Sequence, residues 1–267
     1  RWIVKSRGTG DFDAADFELQ QQGDLPSLGE GEIRVRVVYA SADPTQLGWS
    51  RMDTYMPAVP LGDTMRALGV GVVEQSNDAA FPAGMRVTGM LGFTTHVQAA
   101  PAAIPFLSAL PDTVSWEMAV ACFNHIGSSA MALLKFGEPA EGETVLVTAA
   151  AGAVGGLAVQ IAKAVGCRVV GVAGSDEKLQ YVRDEYGADE VVNYRDEDFA
   201  DKLRAACPSG VDVYFENVGG NVTTTAWPLL NNNARVVACG MIAHYTGAPP
   251  LPIYGPDIVA KRLRISG

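Results

Sequence analysis

The sequence predicts an α/β protein in which a β-rich domain precedes a doubly wound parallel sheet. The first ~115 residues consist of short strand-like segments separated by Gly and Pro. From Thr144 onward, strand-like and helix-like segments alternate, which is typical of a parallel sheet with helices on both faces. Hydrophobic residues make up 48% of the chain and charged residues 19%, which suffices for a substantial core. We therefore expect two domains, residues 1–118 and 119–267.

The strands of the first domain are recognised by their alternation of apolar and polar residues. They are expected at 32–40, 69–76 and 84–91. Helical periodicity is weak before Pro111, which favours a partly open barrel. After Pro111, the stretches SWEMAVACF and SSAMALLKFG carry small and apolar residues at helical spacing.

The second domain shows a regular succession of strands and helices. A short apolar strand at 144–149 is followed by an amphipathic helix at 153–166. Ser175 caps the next helix, acidic residues occupy its first turn, and Gly187 ends it. The remaining strands are expected at 167–174, 190–194, 211–218, 234–240 and 263–266, and the remaining helices at 196–206 and 221–230.

The composition argues against several classes of partner. Lys and Arg total 20 against 30 for Asp and Glu, a net charge of -10, and no basic block is present to contact nucleic acid. No stretch reaches the ~18 to 20 uncharged apolar residues that cross a bilayer. We therefore expect a small-molecule substrate, no nucleic acid and no membrane partner.

The cysteines and histidines are too widely spaced for a zinc site or a redox pair. We expect reduced thiols, at least three of them buried, in a cytoplasmic protein without a metal. Charge that develops on a substrate oxygen must then be stabilised by hydroxyl or N–H donors. The residues are Cys122, Cys167, Cys207, Cys239, His96, His125 and His244.

The strongest motif is Ala150-Ala-Gly-Ala-Val-Gly155, in the place of a G-x-G-x-x-G dinucleotide fingerprint. It lies between a strand and an amphipathic helix, as the fingerprint requires. Gly152 lets the backbone approach a diphosphate, Gly155 allows close packing of helix on strand, and the helix N-terminus supplies free N–H groups. The alternative is a tight strand-to-helix turn without a ligand.

The end of the second strand of this domain indicates the form of the dinucleotide. NAD sites carry an acidic residue here, whereas this strand ends in Gly174-Ser175. Lys178, one turn into the next helix, is within reach of a 2′-phosphate, which favours NADPH. Asp176 and Glu177 are expected to point to solvent. The alternative is that Lys178 is an ordinary exposed helix residue.

Further candidates follow the fourth and fifth strands, because ligands bind beyond the carboxyl ends of strands in open α/β sheets. Asn217 offers a donor and an acceptor, Gly240 admits a flat ring, and Tyr245 supplies a phenol. The alternatives are that Asn217 is a turn residue and that Tyr245 is a packing aromatic.

At these residues the sequence resembles the zinc-independent medium-chain dehydrogenase/reductases, in particular the NADPH-dependent alkenal double-bond reductases and prostaglandin reductases. The matching stretches are GETVLVTAAAGAVG, GCRVVGVAGSDEK, VVNY, GVDVYFENVGG, RVVACGMI-x-x-Y and KRLRISG. The first domain matches more loosely, through YASADP and LGDTMRALGVGVV. The resemblance implies a GroES-like first domain, a Rossmann second domain, and an active site in the cleft between them.

The resemblance also implies the residues that bind NADPH. Lys178 and Tyr194 would lie near the 2′-phosphate and adenosine ribose, and Asn217 along the nicotinamide half. The complete set of expected cofactor-binding residues is Gly152, Ala153, Val154, Gly155, Gly174, Ser175, Lys178, Tyr194, Asn217, Cys239, Gly240, Met241 and Ile242.

The implied reaction is the 1,4-reduction of an α,β-unsaturated aldehyde or ketone, with Tyr245 as the catalytic residue. Its hydroxyl would hydrogen-bond the oxyanion or orient the nicotinamide ribose. Substrate would lie beside Thr45, Tyr55 and His125. The chain departs from the family pattern in this region, with Thr45 for a usual Tyr and residues 125–131 for a Met-Pro-Gly-x-Thr-Ala-Tyr stretch. Phe93, Thr95 and His96 replace residues of its G-W-x-E-Y run.

Two other functions remain open on the sequence. One is an NADPH:quinone reductase of the same superfamily, and the other is an NADPH-binding protein without catalysis. The family continues beyond LRISG, so a C-terminal segment that completes the sheet is expected to be absent here. The resemblance also implies a homodimer formed through the edge of the nucleotide-binding sheet.

Overall fold

The computed structural model describes residues 1–9, 12–245, 247–248 and 255–267, apart from the side chain of His125. The chain forms two compact units, Arg1–His125 and Ile126–Gly267. The domain boundary predicted after residue 118 falls inside a helix of the first unit, Trp116–Cys122.

The first unit is built on antiparallel strands, as the alternating sequence predicts. Strands β3, β4, β5, β6 and β7 form one open sheet in the order β6-β3-β4-β5-β7, and β1 pairs with β2. The elements are β1 (Trp2–Val4), β2 (Phe17–Leu19), β3 (Ile33–Ala40), α1 (Thr45–Arg51), β4 (Gly69–Ser76), β5 (Arg86–Gly89), β6 (His96–Ala99), β7 (Ser108–Ala109) and α2 (Trp116–Cys122).

Helix α1 was not predicted, because its sequence lacks an apolar stripe at helical spacing. Its buried residues are Gly48, Trp49 and Ser50, which are consecutive and include two small residues. A run of this kind has no detectable 3.6-residue period. Trp49 nevertheless anchors the helix, since it is 2% exposed and packs in a cluster with Val4 and Met65.

The second unit is a six-stranded sheet whose strands all pair in parallel. Its order, β10-β9-β8-β11-β12-β13, places the first strand of the unit beside the fourth. The elements are α3 (His125–Ala132), β8 (Thr144–Thr148), α4 (Ala153–Val165), β9 (Arg168–Ala173), α5 (Asp176–Asp184), β10 (Glu190–Asn193), α6 (Phe199–Ala206), β11 (Val211–Glu216), α7 (Gly220–Ala226), β12 (Leu230–Ala238), α8 (Ile242–Tyr245), α9 (Gly255–Lys261) and β13 (Arg264–Ser266).

The two faces of this sheet are covered by different helices. Val145 and Val147 of β8 pack in one core cluster with Ala158 and Val159 of α4. Leu146, between them in sequence, packs in a second cluster with helices α6 and α7. Both faces are apolar because side chains alternate along a strand and both sides are buried. The predicted doubly wound parallel sheet is therefore present.

Two expectations from the sequence are wrong in detail. The helix predicted at 221–230 ends at Ala226, because Pro228 and the start of β12 at Leu230 cannot continue it. The prediction of at least three buried cysteines is also wrong. Cys167 and Cys207 are buried, whereas Cys122 and Cys239 are partly exposed, and all four are free thiols.

Candidate active site

The turn between β8 and α4 has the form of a dinucleotide-binding turn. Gly152 is the N-cap residue of α4 and, as a glycine, provides no side-chain cap for the first turn of this helix. Gly152 and Ala153 are exposed, and Val154 is half-buried. Because the first N–H groups of a helix have no partner within it, they present donors and partial positive charge to solvent. The turn is thus suited to an anion such as a diphosphate.

Gly155 is buried where this helix meets the strand. A Cβ atom on Gly155 would lie 2.2 Å from the carbonyl oxygen of Ala149 and 2.8 Å from its carbonyl carbon. Ala149 itself has a φ of 50°, which turns the chain sharply out of β8. A side chain at position 155 would therefore push the helix away from the turn.

The end of β9 is lined by small and aromatic residues. A Cβ atom on Gly174 would lie 2.7 to 2.9 Å from ring atoms of Tyr194, so the ring lies against the glycine backbone. The Ser175 hydroxyl accepts the N–H of Lys178 at 3.4 Å and caps α5, as predicted from the sequence. The guanidinium carbon of Arg195 lies 5.7 Å from the Tyr194 ring centroid.

Charges around this strand end differ from those of an NAD site. The Lys178 side chain is exposed, and no acidic residue occupies positions 173–175. Asp176 accepts a hydrogen bond of 3.3 Å from the amide of Asn193, while Glu177 is exposed. The arrangement leaves a lysine available for a 2′-phosphate.

The ends of β8, β11 and β12 bring together residues that are distant in sequence. The Asn217 side-chain amide donates to the carbonyl oxygen of Thr148 at 2.8 Å, and its backbone N–H donates to the Thr148 hydroxyl at 2.8 Å. The N–H of Gly240 donates to the carbonyl oxygen of Glu216 at 3.0 Å, and that of Ile242 to Asn217 at 3.1 Å. Asn217 therefore lies beside the segment that carries Gly240 to Ile242.

Gly240 is packed closely against Asn217. A Cβ atom at this position would lie 3.2 Å from the Asn217 carbonyl oxygen, which is closer than most real Cβ contacts. Met241 and Ile242 next to it are exposed. The thiol of Cys239 is mostly buried, and this burial raises its pKa to about 11. Burial thus favours the protonated thiol of Cys239, which is a weaker nucleophile than a thiolate.

The buried carboxylate of Glu216 was not predicted as a site residue. It ends β11, is 1% exposed, and accepts hydrogen bonds from Thr148, Tyr214 and Thr223. The signal in the sequence was an acidic residue that directly follows the run Val213-Tyr-Phe215 in the strand VDVYFE. Such a pattern does not by itself distinguish a buried carboxylate from one at an exposed strand end.

Tyr245, the expected catalytic residue, is the last residue of α8 and is half-buried. The preceding His244 packs its ring against Gly219, where a Cβ atom would lie 3.0 Å from ring atoms. Since α8 follows directly from Gly240 and Met241, the phenol is carried on the segment that hydrogen-bonds to Asn217.

The substrate residues expected in the first unit are partly brought together. The hydroxyl oxygens of Thr45 and Tyr55 lie 3.4 Å apart, and the Tyr55 ring meets that of Trp49 edge-on. Tyr55 is 77% exposed, so most of its surface is available for contact. His125 begins α3, and its side chain lies outside the described part of the structure.

Phe93, Thr95 and His96, which also depart from the family pattern, lie in the first unit, whereas residues 126–131 lie in the second. His96 approaches the Glu74 carboxylate at 3.4 Å and the Thr95 hydroxyl at 3.2 Å. Among the residues that the structure describes, no three His, Cys, Asp or Glu side chains are grouped as metal ligands.

Comparison with known proteins gives the family. The N-terminal domain of oxidoreductase model matches residues 1–105, and the zinc-binding dehydrogenase model matches residues 153–267. The NADPH-dependent curcumin reductase of Escherichia coli is 38% identical over the whole chain, which spans 79% of that protein. The chain belongs to the zinc-independent, NADPH-dependent medium-chain dehydrogenase/reductases.

Other relatives of this medium-chain reductase agree with the assignment. Prostaglandin reductase 1 of Bos taurus is 36% identical, with the alignment covering the whole chain and 80% of the relative. The crystal structure of CurA in complex with NADPH from Vibrio vulnificus matches with a TM-score of 0.91 at 35% identity, over all of this chain and 81% of that one. The predicted fold class and the predicted cofactor, NADPH, are confirmed by these similarities.

Proposed function

We propose that this medium-chain reductase uses NADPH to reduce the C=C bond of α,β-unsaturated aldehydes and ketones. The observation that carries the proposal is the pairing of an uncapped helix N-terminus at Gly152 with a lysine, in place of an acidic residue, beyond β9. Relatives support the substrate class, since they are named as curcumin, prostaglandin and 2-alkenal reductases.

The cofactor is proposed to extend along the carboxyl edge of the six-stranded sheet, where open α/β sheets bind their ligands. The diphosphate would rest on Gly152, Ala153, Val154 and Gly155. The adenosine ribose and 2′-phosphate would contact Gly174, Ser175, Lys178 and Tyr194. The nicotinamide half would contact Asn217, Cys239, Gly240, Met241 and Ile242.

The proposed chemistry is a conjugate reduction. Bound NADPH would supply a hydride to the β-carbon of the substrate and become NADP⁺, and a proton from solvent would then add at the α-carbon of the enolate. The residue proposed to stabilise this enolate is Tyr245, whose phenol O–H donates to the oxyanion or orients the nicotinamide ribose. Thr45, Tyr55 and His125 are proposed to contact the substrate, so they would set which enones are accepted.

A quinone reductase is the second candidate function. The quinone oxidoreductase of Thermus thermophilus, solved with NADPH, matches with a TM-score of 0.72 at 28% identity, over all of this chain and 79% of that one. An NADPH-binding protein without catalysis is the third, because the substrate positions depart from the family pattern.

One assay series separates the three candidates. NADPH oxidation is followed with a matched panel of enals, enones and quinones, and the products are identified by mass spectrometry. We expect turnover of enals and enones with saturation of the C=C bond. Rapid turnover of quinones with inert enals would contradict the proposal, and NADPH binding without any oxidation would indicate the inactive protein.

Cellular location and assembly are further proposals. We propose a cytoplasmic location, for which the free thiols are the argument, and a homodimer, which the family resemblance implies. In the described part of the chain, no helix has the length and hydropathy needed to cross a bilayer. Sedimentation equilibrium of the purified chain tests the assembly, and a monomer at micromolar concentration would contradict it.

A further inference from the structure

Glu216 is a buried carboxylate surrounded only by hydrogen-bond donors. Its Oε1 atom accepts from the Thr148 hydroxyl at 3.1 Å and the Gly219 N–H at 2.9 Å, and also from the N–H of Val218. Its Oε2 atom accepts from the hydroxyls of Tyr214 and Thr223. The N–H groups of Val218 and Gly219 can only donate, and hydrogen bonds from backbone N–H groups favour the ionised form of a carboxyl.

The charge of Glu216 has no cationic partner. Within the described residues, no Lys, Arg or His forms an ion pair with it, whereas Glu143 of the same unit pairs with Arg235. Burial, followed by the Glu216 charge, raises the pKa of Tyr214 well above its usual value, so this phenol stays protonated and donates. The protein thus holds one net negative charge inside the carboxyl edge of the sheet.

Glu216 is also bonded to both segments that are proposed to flank the nicotinamide. Its side chain accepts the N–H groups of Val218 and Gly219, and its carbonyl oxygen accepts those of Cys239 and Gly240 at 2.9 and 3.0 Å. The Thr148 hydroxyl that donates to Glu216 accepts the N–H of Asn217. Movement or loss of the carboxylate therefore acts directly on the segment 217–219, whereas the backbone carbonyl of the same residue holds 239 and 240.

We propose that Glu216 is a positioning residue whose uncompensated charge makes the bound cofactor a stronger hydride donor. The inference rests on the proposed function. The nicotinamide ring is neutral in NADPH and positive in NADP⁺, so a nearby negative charge in a poorly solvated interior stabilises the oxidised form. Because Glu216 is buried, it acts through the segments that it holds and through its field.

The test is the relative affinity of the two cofactor forms, measured by calorimetry on the purified chain. We expect Glu216→Gln to raise the ratio of the Kd for NADP⁺ to the Kd for NADPH about tenfold, because a charge in the interior is removed. Glu216→Asp keeps the charge and should restore a ratio near that of the wild type. A purely structural role would weaken both forms equally and leave the ratio unchanged.

Glu143→Gln is the matched control, because it removes a partly buried carboxylate at the amino end of the same sheet. We expect it to keep the ratio within about twofold of the wild type, since a distant charge is strongly screened. A folded Glu216→Gln protein with the wild-type ratio overturns the inference. If the wild type itself takes up no NADPH, the proposed function fails instead, so the two failures are distinguishable.

A second measurement uses the wild type and needs only the conservative variant Glu216→Asp, which assigns the band. Isotope-edited infrared difference spectra of the wild type, with ¹³C-labelled Glu, compare the NADPH-bound and NADP⁺-bound states. We expect a shifted carboxylate band and no band of a protonated carboxyl at neutral pH, with Glu216→Asp identifying the band. A protonated Glu216, or a band that is identical in both states, overturns the inference.

Discussion

Lys178 is the residue on which the choice between NADPH and NADH is predicted to rest. Its side chain is exposed beyond the cap formed by Ser175, and the end of β9 carries no acidic residue. We expect Lys178→Ala to weaken NADPH binding about ten- to a hundredfold, as for one lost charge-assisted hydrogen bond. NADH binding should change little, because NADH lacks the 2′-phosphate.

The control for Lys178 is Arg183→Ala, which removes another exposed cation from the same helix. Fluorescence titration with both nucleotides gives the two affinities for each variant. Equal weakening of NADPH and NADH by Lys178→Ala would show that the lysine does not recognise the phosphate.

Tyr245 is predicted to act on turnover and not on cofactor affinity. We expect Tyr245→Phe to lower kcat about 10²- to 10³-fold, the effect of removing one oxyanion donor, with the Kd for NADPH nearly unchanged. Steady-state assays with an enone, together with NADPH titration, measure the two quantities. Tyr39→Phe, which removes an exposed hydroxyl bonded to Glu117, is the control. An unaltered kcat in Tyr245→Phe would remove this phenol from the mechanism.

Individual site residues were predictable where one residue type satisfies a local requirement. Gly155 is an example, because close packing of helix on strand requires a glycine within a recognisable pattern. Glu216 was not predictable, since its role depends on Thr148, Tyr214 and Thr223, which meet only in the folded sheet. A hydrogen-bond network between residues that are distant in sequence produces no recognisable spacing pattern.

At the scale of elements, the β8–α4 turn contains two glycines with different predicted roles. Gly155 is predicted to serve packing, and Gly152 to serve cofactor binding. We expect Gly155→Ala to destabilise the protein by about 1 to 3 kcal/mol, the usual cost of overpacking, because its Cβ would meet the Ala149 carbonyl. We expect Gly152→Ala to weaken NADPH binding and to cost less stability than Gly155→Ala, since its Cβ would meet only one atom, the Ala149 carbonyl oxygen at 3.1 Å.

Thermal unfolding and NADPH titration of the two glycine variants test this division. Gly23→Ala, at a position with no atom within 4 Å of the added Cβ, controls for the substitution itself. Equal stability of Gly152→Ala and Gly155→Ala would contradict the close packing inferred for Gly155.

The start of β8 is held by an ion pair that makes stability depend on pH. Arg235 of β12 donates to Glu143 at 2.9 Å, and this hydrogen bond holds the pKa of Glu143 below its ordinary value of 4.5. A lowered carboxyl pKa contributes stability that is present above the ordinary value and is lost as the pH falls through the folded value. We expect Glu143→Gln to lower Tm by a few degrees at pH 7 and to reduce the decrease in Tm on acidification.

The control is Glu138→Gln, which removes the exposed pair with Arg264. Exposed pairs contribute little, so its Tm should stay close to that of the wild type. Differential scanning calorimetry from neutral pH to about pH 3 measures both series. A decrease in Tm with acid that is the same in Glu143→Gln as in the wild type would contradict the assignment.

Strands and helices were predicted well where buried and exposed residues recur along the sequence with a clear period. Strands β4 and β8 and helix α4 fall within a residue or two of the expected bounds, because alternation and amphipathic spacing are strong there. Helices α1 and α8 were missed, since α1 buries consecutive small residues and α8 is only four residues long. Short helices are set by contacts beyond their own sequence.

At the scale of the whole molecule, the strand order explains why five separate sequence segments form one candidate site. The order β10-β9-β8-β11-β12-β13 reverses direction between β8 and β11, and the crevice at such a point is where open α/β sheets bind ligands. The segments that follow β8, β9, β10, β11 and β12 all lie at the same carboxyl edge because their strands are parallel.

The same topology predicts which backbone amides NADPH protects from hydrogen exchange. With nucleotide at a hundred times its Kd, binding stabilises the folded state by about 2.7 kcal/mol. Amide hydrogens that exchange when a contacted segment opens should therefore exchange more slowly. Within the second unit we expect protection of peptides covering 149–155, 174–178, 193–195, 216–219 and 239–242. Helix α6, between β10 and β11, serves as the internal reference because it contributes no residue to the proposed site. Exchange mass spectrometry with and without NADPH makes the comparison; protection of α6 without protection of 149–155 would place the cofactor away from the carboxyl edge of the sheet.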